Sequence, residues 1–203
     1  GAGTGAAAQH SQSLESWFCH VPGLKVVTPS NPQNAYDLLL HSFTDPNPII
    51  FMEHKLIYKI KDYVELNDIP KESSMLGKAN IVSEGKDITI VSYSNMVNIS
   101  KEAIVAKELQ DYSIELIDLQ TVSPIDYDTI KTSLKKTKKL LVCQEAPSNS
   151  SVGTTVISKI VESELFNELE IAPKLISGLH SPMPSAKHLE LNVIPQVEDI
   201  TNA

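Results

Sequence analysis

Cysteine, long apolar runs and surplus positive charge are all scarce in this chain, and each shortage narrows what it does. Only two cysteines occur among 203 residues, Cys19 and Cys143. They lie far apart, each within an apolar pattern, and read as buried thiols rather than a disulfide, which fits a reducing compartment. The six histidines include no pair at helical chelate spacing. With no Cys-x-x-Cys or His-Glu-x-x-His pattern either, a zinc site is not expected. No apolar run is long enough to cross a bilayer. The opening residues hold no basic region followed by an apolar core, so nothing reads as a secretory signal. The formal charge of −8 argues against general binding to nucleic acid or acidic membrane, both of which favour basic surfaces. The first residue is not methionine and the opening glycines read as a loop, so a longer protein with room for an upstream targeting segment is expected.

What is present is ordinary in amount and informative in order. A hydrophobic content of 41% over 203 residues supports a substantial core in one or two domains. Gly1, Gly3, Gly5 and Ala6 to Ala8 carry little side-chain bulk, so the backbone there can approach a ligand or another chain closely. His10 stands where that loop ends. Leu14, Trp17 and Phe18 recur at helical spacing and predict one apolar face. The Val21-Pro22-Gly23 turn ends that helix, and Leu24 to Val27 predicts a short strand. Taken alone, His10 reads more readily as a hydrogen-bonded loop histidine than as an acid-base group.

Further along, Ser30-Asn31-Pro32-Gln33 predicts a helix start with Ser30 as its cap. Ala35, Leu38, Leu39 and Ser42 form the expected buried stripe, and Asp45-Pro46-Asn47-Pro48 ends the helix. Ile49 to Met52 reads as a fully buried strand. Residues 59–75 lack a sustained apolar face and read as a linker between a unit over 1–58 and another over 76–203. In the second unit, strands are expected at 87–94, 114–119, 140–144 and 172–177, with helices at 100–112, 126–137 and 152–166. That alternation predicts α/β architecture on a parallel sheet. Thr121 to Pro124 and Glu145 to Pro147 follow strands, where open sheets place binding loops, although each alone reads first as turn chemistry.

The order Gln9-His-Ser-Gln-Ser-Leu-Glu15, Trp17-Phe18, His20-Val-Pro-Gly-Leu-Lys-Val-Val27 and Pro29-Ser30 resembles the β chain of the E1 component of 2-oxo acid dehydrogenase complexes. That thiamine-diphosphate family includes pyruvate, branched-chain and acetoin dehydrogenases. Ile117-Asp-Leu-Gln-Thr-Val-Ser-Pro-Ile-Asp126, Lys135-Lys-Thr-Lys-Lys-Leu-Leu-Val142 and Gln144-Glu-Ala-Pro147 extend the resemblance in the same order. It implies the end of a pyrimidine-binding-type domain over 1–58 and a transketolase C-terminal-like domain over 76–203. Transketolase and deoxyxylulose-phosphate synthase are similar in fold, but their equivalent loop usually has Thr-His, so Gln9-His10-Ser11-Gln12 favours E1.

The resemblance implies an α2β2 enzyme that decarboxylates a 2-oxo acid, pyruvate by default, and reductively acylates the lipoyl arm of E2. Its expected partners are an E1 α chain, a second β chain, and the lipoyl and subunit-binding domains of E2. Thiamine diphosphate and Mg2+ are expected to bind with the α chain, with no cofactor-binding residue in this stretch. His10 matches the family's active-site histidine. Ser42, Phe43, Asp45 and Asn47 match a structural K+ site built largely from main-chain oxygens, which suit a hard cation. The family's cofactor-activating glutamate lies upstream of residue 1, so this chain is expected to be the C-terminal part of a β chain and inactive alone. A noncatalytic module for β-chain dimerisation and E2 docking is the alternative. The implied location is bacterial cytoplasm, mitochondrial matrix or plastid. Three departures stand out: Gln120 replaces a usual arginine, only Gly153 remains of a glycine-rich turn, and His180 to Pro184 lacks a usual aspartate.

Overall fold

Strands with an apolar residue on each face build a five-stranded sheet in the computed structural model, which describes residues 1–66 and 75–203. The strands are β3 (Asn80–Ser83), β4 (Ile88–Ser92), β5 (Ile114–Asp118), β7 (Leu140–Pro147) and β8 (Lys174–Gly178), in the order β3-β5-β4-β7-β8. Successive residues point to opposite faces. Ile90, Leu116, Leu141 and Cys143 meet Met96, Val97 and Ala103 of helix α4 (Asn95–Ile104) and Ile200 of α8 (Val197–Thr201). Their neighbours Val91, Ile117 and Val142 meet Ile130 and Leu134 of α5 (Tyr127–Thr137) and Val156 and Ile160 of α6 (Val152–Val161). Helices therefore cover both faces, and the strands read as nearly continuous apolar runs for that reason.

The sheet is mixed rather than parallel throughout, because β3 runs antiparallel to β5 while the other pairs are parallel. The helix expected over 100–112 begins five residues earlier, at Asn95, and gives way to a 3-10 turn at Lys107–Leu109. That over 152–166 stops at Val161 and is followed by a 3-10 segment, Glu164–Glu168. Asp126 and Ser151 cap α5 and α6, which removes one free N–H at each helix start. Gly153 is required where it stands: its N–H donates to Gln144 Oε1 at 2.7 Å, and a Cβ there would lie 2.7 Å from the same oxygen.

The first unit holds α1 (Ala7–His10), α2 (Glu15–Cys19), β1 (Lys25–Val27), α3 (Pro32–Thr44) and β2 (Ile49–Phe51). A second sheet runs β2-β1-β6, and β6 (Thr121–Ser123) is donated by the second unit, antiparallel to β1. The expected loop at Thr121 to Pro124 is thus largely an edge strand of the first sheet. The core is shared as well, since Val26 and Val122 belong to the cluster under α5 and α6. Residues 67–74 of the expected linker lie outside the described residues.

Four local expectations are corrected. Asn31, not Ser30, caps α3 by accepting Asn34 N–H, because Ser30 is buried and bonds elsewhere. The covered face of α3 is Asn34, Asp37 and Leu38, whereas Leu39 is 43% exposed. On α2, Phe18 packs against the core as periodicity predicts, but Glu15 is buried and Trp17 is 71% exposed. Strand β2 is half-buried, as befits a sheet edge.

Candidate active-site loop and the seam beneath it

Residues 1–13 lie against the second unit, bonded to Glu145 and Glu190, and small side chains let the backbone lie close. A Cβ on Gly3 would meet Leu56, and that residue sits at φ +95°. His10 ends α1, exposed, with its main-chain carbonyl accepting from Lys55 Nζ at 3.3 Å. No hydrogen bond to its imidazole occurs among the described residues. The ring is therefore available to a group outside this chain.

Beneath the loop lies a buried seam of titratable groups. Glu145 Oε1 accepts from Ala2 N–H at 2.8 Å and Ser13 Oγ at 2.7 Å. Its Oε2 faces His54 Nε2 at 2.9 Å, and His54 Nδ1 accepts from Leu56 N–H at 3.3 Å. That second bond leaves Nε2 as the natural donor to the carboxylate. Burial alone would raise the Glu145 pKa, but the hydrogen bond from His54, with those from Ala2 N–H and Ser13, brings it down to about 2. Glu15 has the opposite balance. Burial pushes its pKa up despite a 2.5 Å bond from the Tyr93 hydroxyl, and the Tyr93 phenol is raised well above its usual value.

A second seam joins α3 to the carboxyl end of β5. Asp118 accepts from Ser30 Oγ at 2.5 Å and from Gln120 N–H at 3.0 Å. Asn34 Nδ2 donates to Gln120 Oε1, and Asn98 Nδ2 donates to Ser30 O at 3.0 Å. Burial raises the Asp118 pKa to about 6 against those bonds. The chain contains no arginine, so no guanidinium pairs with this carboxylate.

Between the two units opens a cleft of about 860 Å³ lined by Ser13, Trp17, His20, Ser123, Ser151 and His180, among others. His10 is not among its walls. The turn proposed for K+ lies elsewhere, at the end of α3. There Asp45 accepts from Lys25 Nζ and, through Oδ1, from Asn47 N–H and Nδ2 at 2.9 Å each. Lys25 first and then Asn47 hold its carboxyl at about 2. Ser42 Oγ donates to Leu38 O at 2.7 Å, and Phe43 is 79% exposed. Ser42, Phe43, Asp45 and Asn47 are thus together on one turn, apart from His10. No group of three or more His, Cys, Asp or Glu side chains among the described residues is arranged to hold a metal ion. Both thiols are free, with burial pushing each to about 12, and Cys19 is only partly buried. No helix is long and apolar enough to cross a membrane among the described residues.

Sequence reasoning missed His54 and Glu190, and it read Glu145 as turn chemistry. The only local sign was a carboxylate directly following the apolar run of β7. Nothing in the sequence ties it to a histidine 91 positions away.

Residues 77–200 match the transketolase C-terminal domain family and residues 1–61 the transketolase pyrimidine-binding domain. The rice (Oryza sativa subsp. japonica) pyruvate dehydrogenase E1 component subunit beta-1, mitochondrial, is 38% identical over 204 residues, covering 100% of this chain and 54% of that protein. The Arabidopsis thaliana 2-oxoisovalerate dehydrogenase subunit beta 2, mitochondrial, is 41% identical over 177 residues, covering 86% of this chain and 48% of that protein. The acetoin:2,6-dichlorophenolindophenol oxidoreductase subunit beta of Cupriavidus necator is 37% identical over 205 residues, covering 100% and 59%. The chain spans about half the length of the curated relatives it matches. A solved structure described as split gene transketolase, inactive beta4 tetramer, has a TM-score of 0.74 at 18% identity, covering 96% of this chain and 61% of that one. That likeness concerns fold.

Proposed function

The chain belongs to the transketolase family through its C-terminal and pyrimidine-binding domains, and from that membership we propose that it serves as the β subunit of a 2-oxo acid dehydrogenase E1 enzyme. Residues 1–58 form the end of the pyrimidine-binding domain in this reading, 59–75 the linker, and 76–203 the C-terminal domain. The observation that carries the reading is His10, exposed and without an imidazole hydrogen bond among the described residues, on a small-residue loop held against a second domain. The substrate is a 2-oxo acid, pyruvate first, and the acyl group passes to the lipoyl arm of E2. Branched-chain acids are the second reading, favoured by the identity with the 2-oxoisovalerate relative.

Thiamine diphosphate, bound with Mg2+ and an E1 α chain, supplies the electron sink for decarboxylation. His10 fits beside such a group because it is exposed and no hydrogen bond among the described residues engages its imidazole, so the ring can hold or deliver a proton during acyl transfer. Neither Glu15 nor Glu53 fits the role of activating carboxylate. Glu15 is buried under Tyr93, and Glu53 accepts from the Tyr58 hydroxyl at 2.8 Å. The C-terminal domain is the part of this reading that pairs β chains and docks E2.

The test compares the 203-residue chain with the full-length protein assembled with its α chain. The chain alone is expected to release no carbon dioxide from pyruvate with thiamine diphosphate and Mg2+, and the assembly to acylate a lipoyl domain. In the assembly, His10→Ala is expected to slow acylation about a hundred- to ten-thousand-fold, while stability changes by no more than about 0.5 kcal/mol. Near-normal acylation by that variant would return His10 to a structural role.

For K+, main-chain carbonyls of Ser42 and Phe43 in the last turn of α3 fit, because helix ends leave carbonyls without intrahelical donors. The Asp45 carboxylate does not, being committed to Lys25 and Asn47. Binding through the carbonyls of Ser42, Phe43, Asp45 and Asn47 is expected to show as anomalous density after soaking the intact enzyme in Rb+ or Tl+. Water alone at that turn would refute it.

A further inference from the structure

The loop that carries His10 has little apolar anchoring of its own. Among residues 1–10 only Ala2 is fully buried. Gly3, Gly5 and Ala7 all have positive φ, +95°, +67° and +56°, and for alanine that conformation needs support from outside the loop. The support comes from two carboxylates of the second unit. Glu145, at the end of β7, takes Ala2 N–H at 2.8 Å, and Glu190, on α7 (Lys187–Leu191), takes Gly5 N–H through Oε2 at 2.8 Å.

Glu190 is fully buried, and its Oε1 has no hydrogen-bond partner among the described residues. A carboxylate enclosed there for packing alone would be worse than a leucine of similar size, so its bond to the loop is what gives it a use. Glu145 adds Ser13 on the far side of His10. It also grips His54, which precedes the Lys55 whose ammonium reaches the His10 carbonyl. The imidazole itself has no such tether, so its place follows from the path of the backbone.

We propose that Glu145 and Glu190 are positioning residues for His10, holding the Gly1–Ser13 loop by its N–H groups so that the second domain sets where the imidazole sits. This rests on the acid-base role given to His10 above. The test uses the full-length β chain assembled with its α chain and carrying Glu145→Ala, Glu190→Ala or Glu190→Gln, the last keeping a carbonyl acceptor for Gly5 N–H.

Hydrogen exchange over residues 2–10 and the rate of lipoyl acylation are measured together, alone and combined with His10→Ala. The alanine variants are expected to speed exchange in the loop about tenfold while β4 and β5 stay protected. They should also slow acylation about tenfold or more, with Glu190→Gln restoring most of both. Added to His10→Ala, Glu190→Ala is expected to slow acylation no further. Unchanged loop exchange, or losses that multiply in the double variant, would overturn the proposal. Should Glu145→Ala fail to assemble, the Glu190 pair decides alone. A wild-type assembly that does not acylate lipoyl domains, while Glu190→Ala still loosens the loop, refutes the functional reading and supports the anchoring.

Discussion

Glu145 and Asp118 end strands on either side of β4, both are buried, and both bridge to the first unit, yet their acidities move in opposite directions. Glu145 meets a histidine and two further donors, and its pKa is brought to about 2. Asp118 accepts from two neutral donors, Ser30 Oγ and Gln120 N–H, with the charge of Lys101 a weaker influence, and rises to about 6. Burial opposes ionisation at both positions, so the partner decides the sign. The donors around Glu145 hold it ionised, whereas Asp118 keeps its proton to a higher pH than it would in water.

The largest expected effect falls on the Glu145 seam. Glu145→Ala leaves His54 Nε2, Ala2 N–H and Ser13 Oγ without their acceptor, which should cost about 4 kcal/mol in denaturant unfolding at pH 7, since each is a bond to an ionised group. A loss no greater than that of a single neutral hydrogen bond would erase the contrast between the seams.

The next effect is stabilising. For Asp118 the folded pKa lies above the ordinary 3.8, so its contribution is complete below pH 3.8 and lost as pH rises through about 6. Asp118→Asn keeps an acceptor for Gln120 N–H and cannot ionise. It should raise stability by about 3 kcal/mol at pH 7 and by little below pH 4. For Glu145 the folded pKa lies below the ordinary 4.5, so its contribution is complete above pH 4.5 and lost as pH falls toward about 2. Stability curves of the wild type and Asp118→Asn from pH 3 to 8 test the Asp118 sign, and a difference independent of pH would refute it. The smallest effect comes from Ser30→Ala, which removes one bond to the ionised Asp118 at pH 7 and should cost about 2 kcal/mol. In the Asp118→Asn background that cost should shrink, which a double-variant cycle measures.

The two seams also mark where sequence reasoning stops. Strands β4, β5, β7 and β8 and helix α5 were legible, because a run such as Leu140-Leu-Val-Cys-Gln144 and a stripe such as Ile130 with Leu134 repeat on the chain's own period. The start of α4 was missed, since Met96 and Val97 declare a helical face only once α8 and β4 are there to cover it. Family resemblance singles out His10 because that loop is a local motif.

By itself, the sequence determined the alternation of strands and helices, the apolar faces of the central sheet and the loop on which His10 stands. Only the tertiary structure decided that Thr121 to Ser123 completes the first sheet, that Glu15 rather than Trp17 turns inward, and that Glu145 finds His54. Periodicity records which side of an element avoids water through residues a few positions apart. A buried carboxylate becomes tolerable only through a partner whose place in the chain has no fixed spacing, and that pairing exists nowhere until the two units close on each other.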